Sequence, residues 1–455
     1  MAGAELQADV VVVGLGPGGE DAAGRLAEAG LDVIGIDGGL VGGECPYWGC
    51  VPSKMMIRAA NLLAETRRVP GMAGRSTVEP DWSVVAGRIR REATDDWDDK
   101  VAVERLVKTG ARFVRGWARL DGPGRVLVGD RVLRAGRAVL LNPGTKPWSP
   151  PIPGLADLPY WTNRQAIEAE EVPGSLIVLG GGAIGLELGQ VFARFGTRVT
   201  VVEAADRLLA LEEPESSALI DEVLIREGLT VLTGADITGA GHGADGFTLE
   251  LAGGAVSAEQ LLVATGRRSD LAALGVASIG LDEGARSIKV DGRLRAAPGV
   301  WAIGDVTGEG AFTHVSMYQS AIAVDDILGR PTAEADYHGL PRVTFTDPEI
   351  GSVGMSEATA RQTGLSVRTG LTDLPASTRG WIHKAGNDGF IKLVEDADRG
   401  VLVGATSAGP VGGEVLGLLA LAVHADVPTE TLRRMIYAYP TFHRAVEAAL
   451  DDLGS

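Results

Sequence analysis

Two cysteines, Cys45 and Cys50, are the residues of this sequence best suited to redox chemistry. They are the only cysteines among 455 residues, and they lie in the segment GGECPYWGCVPSK at 42–54. Four intervening residues on the first turns of a helix allow two sulfur atoms to approach disulfide distance. A position at a helix start lowers a thiol pKa and stabilises the thiolate. The spacing therefore predicts a redox-active pair, and the alternative is an inert structural disulfide.

The side chains around the cysteines exclude one chemistry and leave another open. Two cysteines without nearby histidines cannot complete a tetrahedral site, so we expect no metal centre. Tyr47 and Trp48 stand between the cysteines. Their rings either stack on an aromatic substrate or pack against their own domain, and the sequence favours neither.

A glycine-rich loop near the N-terminus predicts a dinucleotide site. It fits G-x-G-x-x-G between a strand predicted at 9–14 and a helix predicted at 19–29, with glycines at Gly14, Gly16 and Gly19. Such glycines let the backbone approach a pyrophosphate at the positive end of a helix. Asp37 ends the next predicted strand, where a carboxylate can hold a ribose hydroxyl. The alternative is a tight turn, but strand, helix and acid together favour a nucleotide site.

A second loop of the same kind follows a strand predicted at 175–179. Its glycines are Gly180, Gly182 and Gly185, a helix is predicted at 186–195, and Glu203 occupies the acid position. A carboxylate there repels a 2′-phosphate, so we expect NADH to be preferred to NADPH. Two arginines near this acid could weaken that preference, Arg198 and Arg207. Two nucleotide folds in one chain imply two nucleotide ligands.

The composition limits the partners. The formal charge is −18 and the sequence pI is about 4.9, and an acidic surface repels phosphate backbones, so we expect no nucleic-acid partner. No apolar run approaches the roughly 18 residues that would cross a bilayer, so we expect no membrane association. The N-terminus shows no cationic segment and no cleavage site, and we expect a cytoplasmic location.

Past residue 340, alternating segments at 342–346 and 390–394 predict an antiparallel sheet. Apolar helices are expected at 413–424, 429–437 and 441–453, and a loop near His383.

The cysteine segment resembles the pattern GGxCxxxxCxPSK of the group I pyridine nucleotide–disulfide oxidoreductases. This family includes dihydrolipoamide dehydrogenase, glutathione reductase and mercuric reductase. The resemblance extends over the whole chain, through both glycine loops and the segments ATGR at 264–267, AIGD at 302–305 and RVTFTDPE at 342–349. It implies an α/β fold with two Rossmann-like domains, for FAD and NAD, and a C-terminal α+β dimerisation domain. The expected boundaries are 1–150 with 271–338 for the FAD domain, 151–270 for the NAD domain and 339–455 for the interface domain.

The resemblance also implies roles for single residues. Asp37 would bind the adenosine half of FAD and Asp305 its ribityl chain. Cys50 would be the thiolate against the flavin, and Cys45 the exposed thiol that attacks substrate. Lys54 would approach flavin N5 and pair with the acid Glu187, although both could be ordinary surface charges. A helix starting after His314 would direct its positive end to the flavin. The remaining positions expected at the cofactors are Gly43, Gly144, Gly266 and Gly304.

The C-terminal motif departs from the family. There, a His-Pro-Thr-x-x-Glu segment of the partner subunit supplies the acid–base, whereas Tyr439 and Arg444 stand here in the histidine and glutamate positions. A phenol is a poor base at neutral pH. If a helix starts near 441, His443 and Glu447 are neighbours one turn apart, and His443 could replace the missing base. The alternative is an exposed helical ion pair.

These patterns predict an enzyme that passes electrons from NAD(P)H through FAD to a Cys45–Cys50 disulfide, and then to a small disulfide or related electrophile. The alternative acceptor is a quinone or another non-disulfide compound. A scaffold without activity would not need these cysteines, Lys54 or Glu187. No C-terminal cysteine pair follows, so we expect neither efficient mercuric reduction nor a C-terminal thiol relay. We expect a homodimer whose active site is shared between the subunits.

Overall fold

The computed structural model describes residues 5–454, which divide into two compact units. Unit 1 contains the chain up to residue 52, with 87–148 and 267–336. Unit 2 contains 53–86, 149–266 and the chain from residue 337 onward. Among the described residues, no helix is both long and apolar enough to cross a membrane.

Unit 1 is built on one mixed sheet with a parallel centre. Its elements are β1 (Glu5–Val13), α1 (Pro17–Glu28), β2 (Val33–Asp37), α2 (Glu44–Tyr47), a π-helix (Ile89–Ala93), α5 (Lys100–Lys108), β3 (Arg112–Arg115), β4 (Ala118–Leu120), β5 (Arg125–Val128), β6 (Arg131–Leu141), β7 (Lys146–Pro147), β15 (Arg267–Arg268), α9 (Leu271–Leu274), a 3-10 helix (Val276–Ile279), β16 (Arg295–Ala297), β17 (Val300–Ala302), a 3-10 helix (Gly304–Thr307) and α10 (Thr313–Leu328). The strand order is β16-β17-β6-β1-β2-β3, and β4 and β5 extend β6 as a hairpin. The four pairings from β17 to β3 are parallel.

Helix α3 (Cys50–Arg68) begins in unit 1 and continues into unit 2, and α4 (Trp82–Arg88) ends across the next boundary. The other elements of unit 2 fall in two stretches of the chain. The first holds α6 (Asn163–Glu168), β8 (Ser175–Leu179), α7 (Ala183–Arg194), β9 (Arg198–Val202), α8 (Pro214–Arg226), β10 (Thr230–Leu232), β11 (Ile237–Gly243), β12 (Gly246–Leu251), β13 (Gly254–Ala258) and β14 (Gln260–Val263). The second holds β18 (Pro341–Thr344), β19 (Glu349–Gly354), α11 (Glu357–Gln362), β20 (Val367–Asp373), a 3-10 helix (Leu374–Ala376), α12 (Thr378–His383), β21 (Phe390–Asp396), β22 (Val401–Gly409), α13 (Gly412–His424), α14 (Thr429–Arg433) and α15 (Ala445–Asp452).

Unit 2 contains three sheets. A parallel sheet has the order β10-β9-β8-β14, and a three-stranded antiparallel sheet has the order β11-β12-β13. The third sheet is antiparallel, with the order β18-β19-β22-β21-β20. Its core packs against α13 and α15, as the apolar patterns past residue 340 predicted. The α/β class is therefore confirmed, with a parallel sheet in each unit.

The valine run of β1 explains why the sheet of unit 1 is covered on both faces. Val11 and Val13 belong to one core cluster, and Val10 and Val12 belong to another. All four side chains are buried. Since alternate side chains of a strand point to opposite faces, a continuous apolar run requires a sheet buried on both sides. This packing fixes the end of β1, and with it the glycine loop that follows.

Candidate active site

The two cysteines lie on consecutive helices, and both belong to unit 1. Cys45 is in α2 and is partly buried, and the exposed Cys50 is the first residue of α3. The Cys50 sulfur lies 3.3 Å from the hydroxyl of Thr313, the first residue of α10. Gly43 precedes α2 with φ +69°, and a Cβ there would lie 2.9 Å from the Cα of Gly16. Glycine is therefore needed where the cysteine segment packs against the first dinucleotide loop.

The hydrogen bond that joins the two thiols distinguishes their chemistry. This bond to Cys50, together with burial, raises the pKa of the Cys45 thiol well above its ordinary value. A hydrogen bond from Thr313 acts in the opposite direction and is weaker. Cys45 therefore keeps its proton at neutral pH and becomes a nucleophile only when a base removes it.

The first glycine loop has the geometry of a phosphate cradle. Gly14 has φ +89°, and a Cβ there would lie 2.2 Å from the carbonyl oxygen of Asn142. A Cβ at Gly19 would lie 2.0 Å from the carbonyl oxygen of Gly14, so close packing of loop and helix requires both glycines. At Gly16 a Cβ would meet only the Asn142 amide, at 3.4 Å. These residues fit a pyrophosphate at the start of α1, as a dinucleotide requires.

Asp37 is fixed by the loop that it follows. Its carboxylate accepts hydrogen bonds from the peptide N–H groups of Leu15 and Gly39, each at 2.7 Å. Burial raises the pKa of Asp37, and these two hydrogen bonds partly offset the effect. The carboxylate is thus oriented at the carboxyl end of β2, where a ribose would lie.

The second loop repeats this arrangement in unit 2. Gly180 has φ +114°, a Cβ at Gly185 would lie 2.2 Å from the Gly180 carbonyl oxygen, and at Gly182 a Cβ would meet no atom within 4 Å. Glu203 accepts hydrogen bonds from the N–H groups of Gly181, at 2.5 Å, and Ala205, at 2.7 Å. Both acids therefore bind the residue after the first loop glycine and the residue two positions beyond themselves.

Neither arginine near Glu203 in the sequence is placed to hold a phosphate there. The Arg207 guanidinium donates to the Ser217 hydroxyl and to three backbone carbonyl groups, those of Leu209, Ala210 and Glu212. Arg198 is the first residue of β9, about 16 Å along the strand from Glu203. Whether these arginines weaken a preference for NADH stays a prediction.

A polar cluster in unit 1 surrounds Asp305. The Thr145 hydroxyl donates to the Asp305 carboxylate at 2.7 Å, and Arg267 donates to the Thr145 hydroxyl at 2.9 Å. Gly144 and Gly304 have φ angles of +66° and +75°, so the turns at these two positions of unit 1 require glycine. Gly266, which ends a stretch of unit 2, has φ +122°. Helix α10 begins at Thr313, one residue before His314, whose exposed ring stacks on Phe312.

Lys54 and Glu187 form an ion pair in unit 2. The Lys54 ammonium lies 2.8 Å from one carboxylate oxygen, and the Glu187 side chain is only 8% exposed. The other carboxylate oxygen accepts the peptide N–H of Phe345 at 2.8 Å. The Lys54 ammonium also lies 4.5 Å from the centre of the Phe345 ring. An ordinary surface charge pair does not have this degree of burial and this number of partners.

The pairing expected between His443 and Glu447 does not form. Helix α15 begins at Ala445 rather than near 441, and Glu447 pairs with Arg444 at 2.9 Å. The His443 ring instead lies 3.5 Å from the Thr441 hydroxyl. Tyr439 is 65% exposed, and the Arg444 guanidinium lies 5.4 Å from the centre of its ring.

Three other expectations are decided by the structure. Tyr47 is buried, and its carbonyl accepts a hydrogen bond from the Trp97 indole at 3.3 Å, which favours packing over substrate stacking for this ring. His383 ends helix α12 rather than lying in a loop, and its ring contacts Phe442 edge-on. Helix α14 ends at Arg433 and not at 437.

Comparison with known proteins decides the family. Residues 8–321 match the family described as pyridine nucleotide-disulphide oxidoreductase, and residues 340–450 match its dimerisation domain. The chain belongs to the pyridine nucleotide-disulphide oxidoreductase family. It is 32% identical to a dihydrolipoyl dehydrogenase of Thermus scotoductus, over 98% of this chain and 97% of that protein. It is also 33% identical to a mercuric reductase of Streptomyces lividans, over 97% and 95% of the two chains.

Solved structures agree with this assignment. The HOCl-induced flavoprotein disulfide reductase RclA from Escherichia coli superimposes with a TM-score of 0.83 at 25% identity, over 98% of this chain and 99% of that one. LpdA from Mycobacterium tuberculosis gives a TM-score of 0.86 at 24% identity and shows the same fold. As a pyridine nucleotide-disulphide oxidoreductase, the chain is an NAD(P)H-dependent flavoprotein enzyme that uses FAD, and its C-terminal domain is a dimerisation domain.

Three members of the site were missed by the sequence interpretation. Thr313 contacts Cys50, Arg267 holds Thr145, and Phe345 contacts both Lys54 and Glu187. Arg267 and Phe345 lie inside motifs that identified the family, so the signal was present. The contacts themselves join residues more than 120 positions apart, which spacing along the chain cannot reveal.

Proposed function

We propose that this enzyme transfers electrons from NADH, through FAD, to the Cys45–Cys50 pair, and from there to a small disulfide or a related electrophile. One observation carries the proposal. The Cys50 sulfur lies at the start of α3 and 3.3 Å from the first residue of α10, so two helix N-termini meet at this sulfur. Both helix dipoles stabilise negative charge there, as a thiolate relay requires.

The residues fit FAD and a nicotinamide dinucleotide. Gly14, Gly16, Gly19 and Asp37 would hold the adenosine diphosphate half of FAD, and Asp305, fixed by Thr145, would hold the ribityl chain. The second loop and Glu203 would hold the nicotinamide dinucleotide. When bound, FAD accepts a hydride equivalent from the nicotinamide and delivers two electrons to the disulfide. Lys54 would stand near the flavin as a fixed cation, because Glu187 and Phe345 hold its ammonium.

In the acceptor step, all bonds to sulfur form and break at the two cysteines and the acceptor. The Cys45 thiolate attacks one sulfur of the acceptor, which forms a mixed disulfide and releases the first thiol. The Cys50 thiolate then attacks the Cys45 sulfur, which re-forms the Cys45–Cys50 disulfide and releases the second thiol. The dithiol thus gives two electrons and two protons to one acceptor disulfide. NADH and one proton replace them in each cycle.

Proton removal from Cys45 is the step for which this chain lacks the usual family residue. The raised pKa of the Cys45 thiol makes a base necessary at neutral pH. Tyr439 stands where relatives place a histidine, and a phenol is a weak base at that pH. His443 has no carboxylate partner among the described residues, because Glu447 pairs with Arg444. An acceptor that is itself strongly electrophilic would depend least on base catalysis, and such acceptors suit this site best.

We also propose that the active site is completed by a second subunit. The segment between α14 and α15 exposes two large apolar residues, Ile436 at 95% and Tyr439 at 65%. Two large apolar side chains exposed within one short segment support an interface at this segment. The segment lies within the dimerisation domain and contains the Tyr-Pro-Thr motif. In a homodimer, burial of this segment would bring Tyr439 of one subunit to the cysteine pair of the other.

The proposal is tested by acceptor reduction with purified protein. NADH oxidation is followed with a panel of small disulfides and with quinones, and thiols released are counted with a chromogenic reagent. We expect two thiols per NADH with at least one disulfide, and loss of this activity in Cys45→Ser. Quinone reduction that persists undiminished in Cys45→Ser, without any disulfide reduction by the wild type, would contradict the proposal and support direct donation to a quinone.

A further inference from the structure

Phe345 contacts both partners of the Lys54–Glu187 ion pair. Its peptide N–H donates to one Glu187 oxygen at 2.8 Å, while the other oxygen binds the Lys54 ammonium at the same distance. Its ring lies 4.5 Å from that ammonium, within the range of a cation–π contact. One residue therefore orients the carboxylate through its backbone and holds the cation through its side chain.

Phe345 is itself held by a buried polar clamp on Asp347. The Gln190 side chain accepts the Asp347 N–H at 2.8 Å and donates to its carbonyl at 2.9 Å. Arg194, whose side chain is 2% exposed, binds the Asp347 carboxylate at 2.7 Å, and Arg68 binds it at 2.7 Å. Three side chains of α3 and α7 thus fix the backbone at Asp347, two residues after Phe345.

The clamp and the ion pair share one face of helix α7. Glu187, Gln190 and Arg194 are spaced three and four residues apart, so they form one stripe along the helix. Helix α3 contacts this stripe at two positions with the same offset along the chain. The Lys54–Glu187 and Asn61–Arg194 hydrogen bonds both join residues 133 positions apart. The position of the Lys54 ammonium is therefore determined by a continuous polar seam and not by one contact.

Lys54 can act on the reactive thiol through the helix that carries both. It follows Cys50 by four residues on α3, so the two side chains lie on the same face of the helix. A cation held on that face favours the thiolate over the thiol. A cation that is free to leave that face stabilises the thiolate less.

We propose that Phe345 is a positioning residue for the Lys54 ammonium and, through it, for the Cys50 thiolate. The Phe345 ring, 4.5 Å from the ammonium, and the Glu187 carboxylate, 2.8 Å from it, together hold the ammonium in place on the helix that also carries Cys50. This inference rests on the proposed role of Cys50 as the thiolate of the relay. Phe345 then affects the ionisation of the Cys50 thiol and does not contact substrate.

The experiment uses the Cys45→Ser background, in which Cys50 is the only thiol of the chain. The rate of Cys50 alkylation by iodoacetamide is measured by mass spectrometry as a function of pH. Phe345→Leu keeps the backbone N–H and the apolar volume but removes the π face, and Phe345→Tyr retains the face. Lys54→Met removes the cation. Phe247→Leu, in strand β12 of the same unit, is the matched control, because it makes the same exchange at a buried site in a different sheet.

We expect Phe345→Leu to move the pH midpoint of alkylation upward by roughly 0.3–0.7 pH units, the equivalent of losing a two- to fivefold cation–π preference. Lys54→Met moves it further, and Phe345→Tyr and Phe247→Leu leave it unchanged. The groups that face Cys50 are otherwise constant, since Cys45→Ser is present in every variant, Thr313 is neutral and His314, next to it, is retained.

Two outcomes overturn the inference. One is a midpoint that Phe345→Leu leaves unchanged, whether or not Lys54→Met moves it. The other is an equal shift in Phe345→Leu and Phe247→Leu, which would indicate general loosening of the unit. The measurement needs neither NADH nor an acceptor and is repeated on flavin-stripped protein. A failed acceptor assay with a normal Phe345 effect would therefore count against the proposed function and not against the positioning role.

Discussion

Replacement of Glu203 by serine tests how this chain selects its nicotinamide coenzyme. The carboxylate is held by the N–H groups of Gly181 and Ala205, so it cannot turn away from a 2′-phosphate, and Arg207 is bound to other acceptors. Two unit charges about 5 Å apart repel by about 3 kcal/mol at an effective dielectric constant of 20. Glu203 is only partly buried, so solvent screening reduces this to about 1.5–2 kcal/mol, a preference for NADH of roughly ten- to thirtyfold.

The assay is the ratio of kcat/KM for NADH and NADPH with one fixed acceptor. We expect the wild type to prefer NADH by this factor and Glu203→Ser to reduce the ratio to near one. The fall in the kcat/KM ratio combines weaker binding of the NADH ribose with weaker repulsion of the NADPH 2′-phosphate. Arg207→Met is the matched control and should not change the ratio, because its guanidinium is already bound to the protein. Equal use of both coenzymes by the wild type, or a ratio that Glu203→Ser leaves unchanged, would refute the electrostatic reasoning.

Three further predictions concern the thiol step and the stability of unit 2. A hydrogen bond to Cys50 and burial raise the pKa of Cys45, so the rate of disulfide reduction should increase as the pH rises above neutral. Tyr439→His should raise the rate at pH 7 by roughly a hundredfold and flatten this pH profile. Both effects are measured as initial rates from pH 6 to 10. His443→Ala should retain activity within about twofold in the same assay, since general-base loss would cost at least a hundredfold; a larger loss would restore His443 as the base. Arg194→Met should lower the free energy of unfolding by about 3 kcal/mol, read from urea midpoints, because it leaves Glu227 without its cation and Asp347 with Arg68 alone. A change below about 1 kcal/mol would contradict the clamp.

The two dinucleotide folds could be predicted from the sequence because their determinants are local. A strand of buried valines, a loop whose glycines avoid backbone clashes and a helix that starts at once all lie within about 30 residues. The predicted strand at 175–179 agrees with β8, and the predicted helices begin two or three residues later than α1 and α7. The early helix starts follow from Pro17 and Ala183, which occupy first turns that the sequence interpretation assigned to the loops.

The error at His443 has a local physical cause. The Thr441 hydroxyl donates to the Ala438 carbonyl, and the N–H groups of residues 445–447 bond to carbonyls three positions earlier. These bonds close tight turns and not α-helical turns, so His443 and Glu447 are not one α-turn apart. Apolar periodicity marks the buried face of α15 correctly but does not show where its first α-helical hydrogen bond forms.

The contacts that define the electrostatics of the site were beyond sequence reasoning for a different reason. Arg207 binds its own loop, and Glu187 binds Phe345 from 158 positions away. Which acceptor a guanidinium or carboxylate finds depends on tertiary packing. The three-domain boundaries stay a prediction, since the compact units and the two matched family regions divide the chain in other ways.

The most direct test of the account is an anaerobic titration of the flavin-loaded protein with NADH, followed by absorbance. We expect the first two electrons to produce a long-wavelength band from the Cys50 thiolate against oxidised flavin. Cys45→Ser should show this band before any NADH is added, and Cys50→Ser should never show it. A two-electron form of the wild type with the spectrum of plain reduced flavin and no long-wavelength band would contradict the dithiol relay.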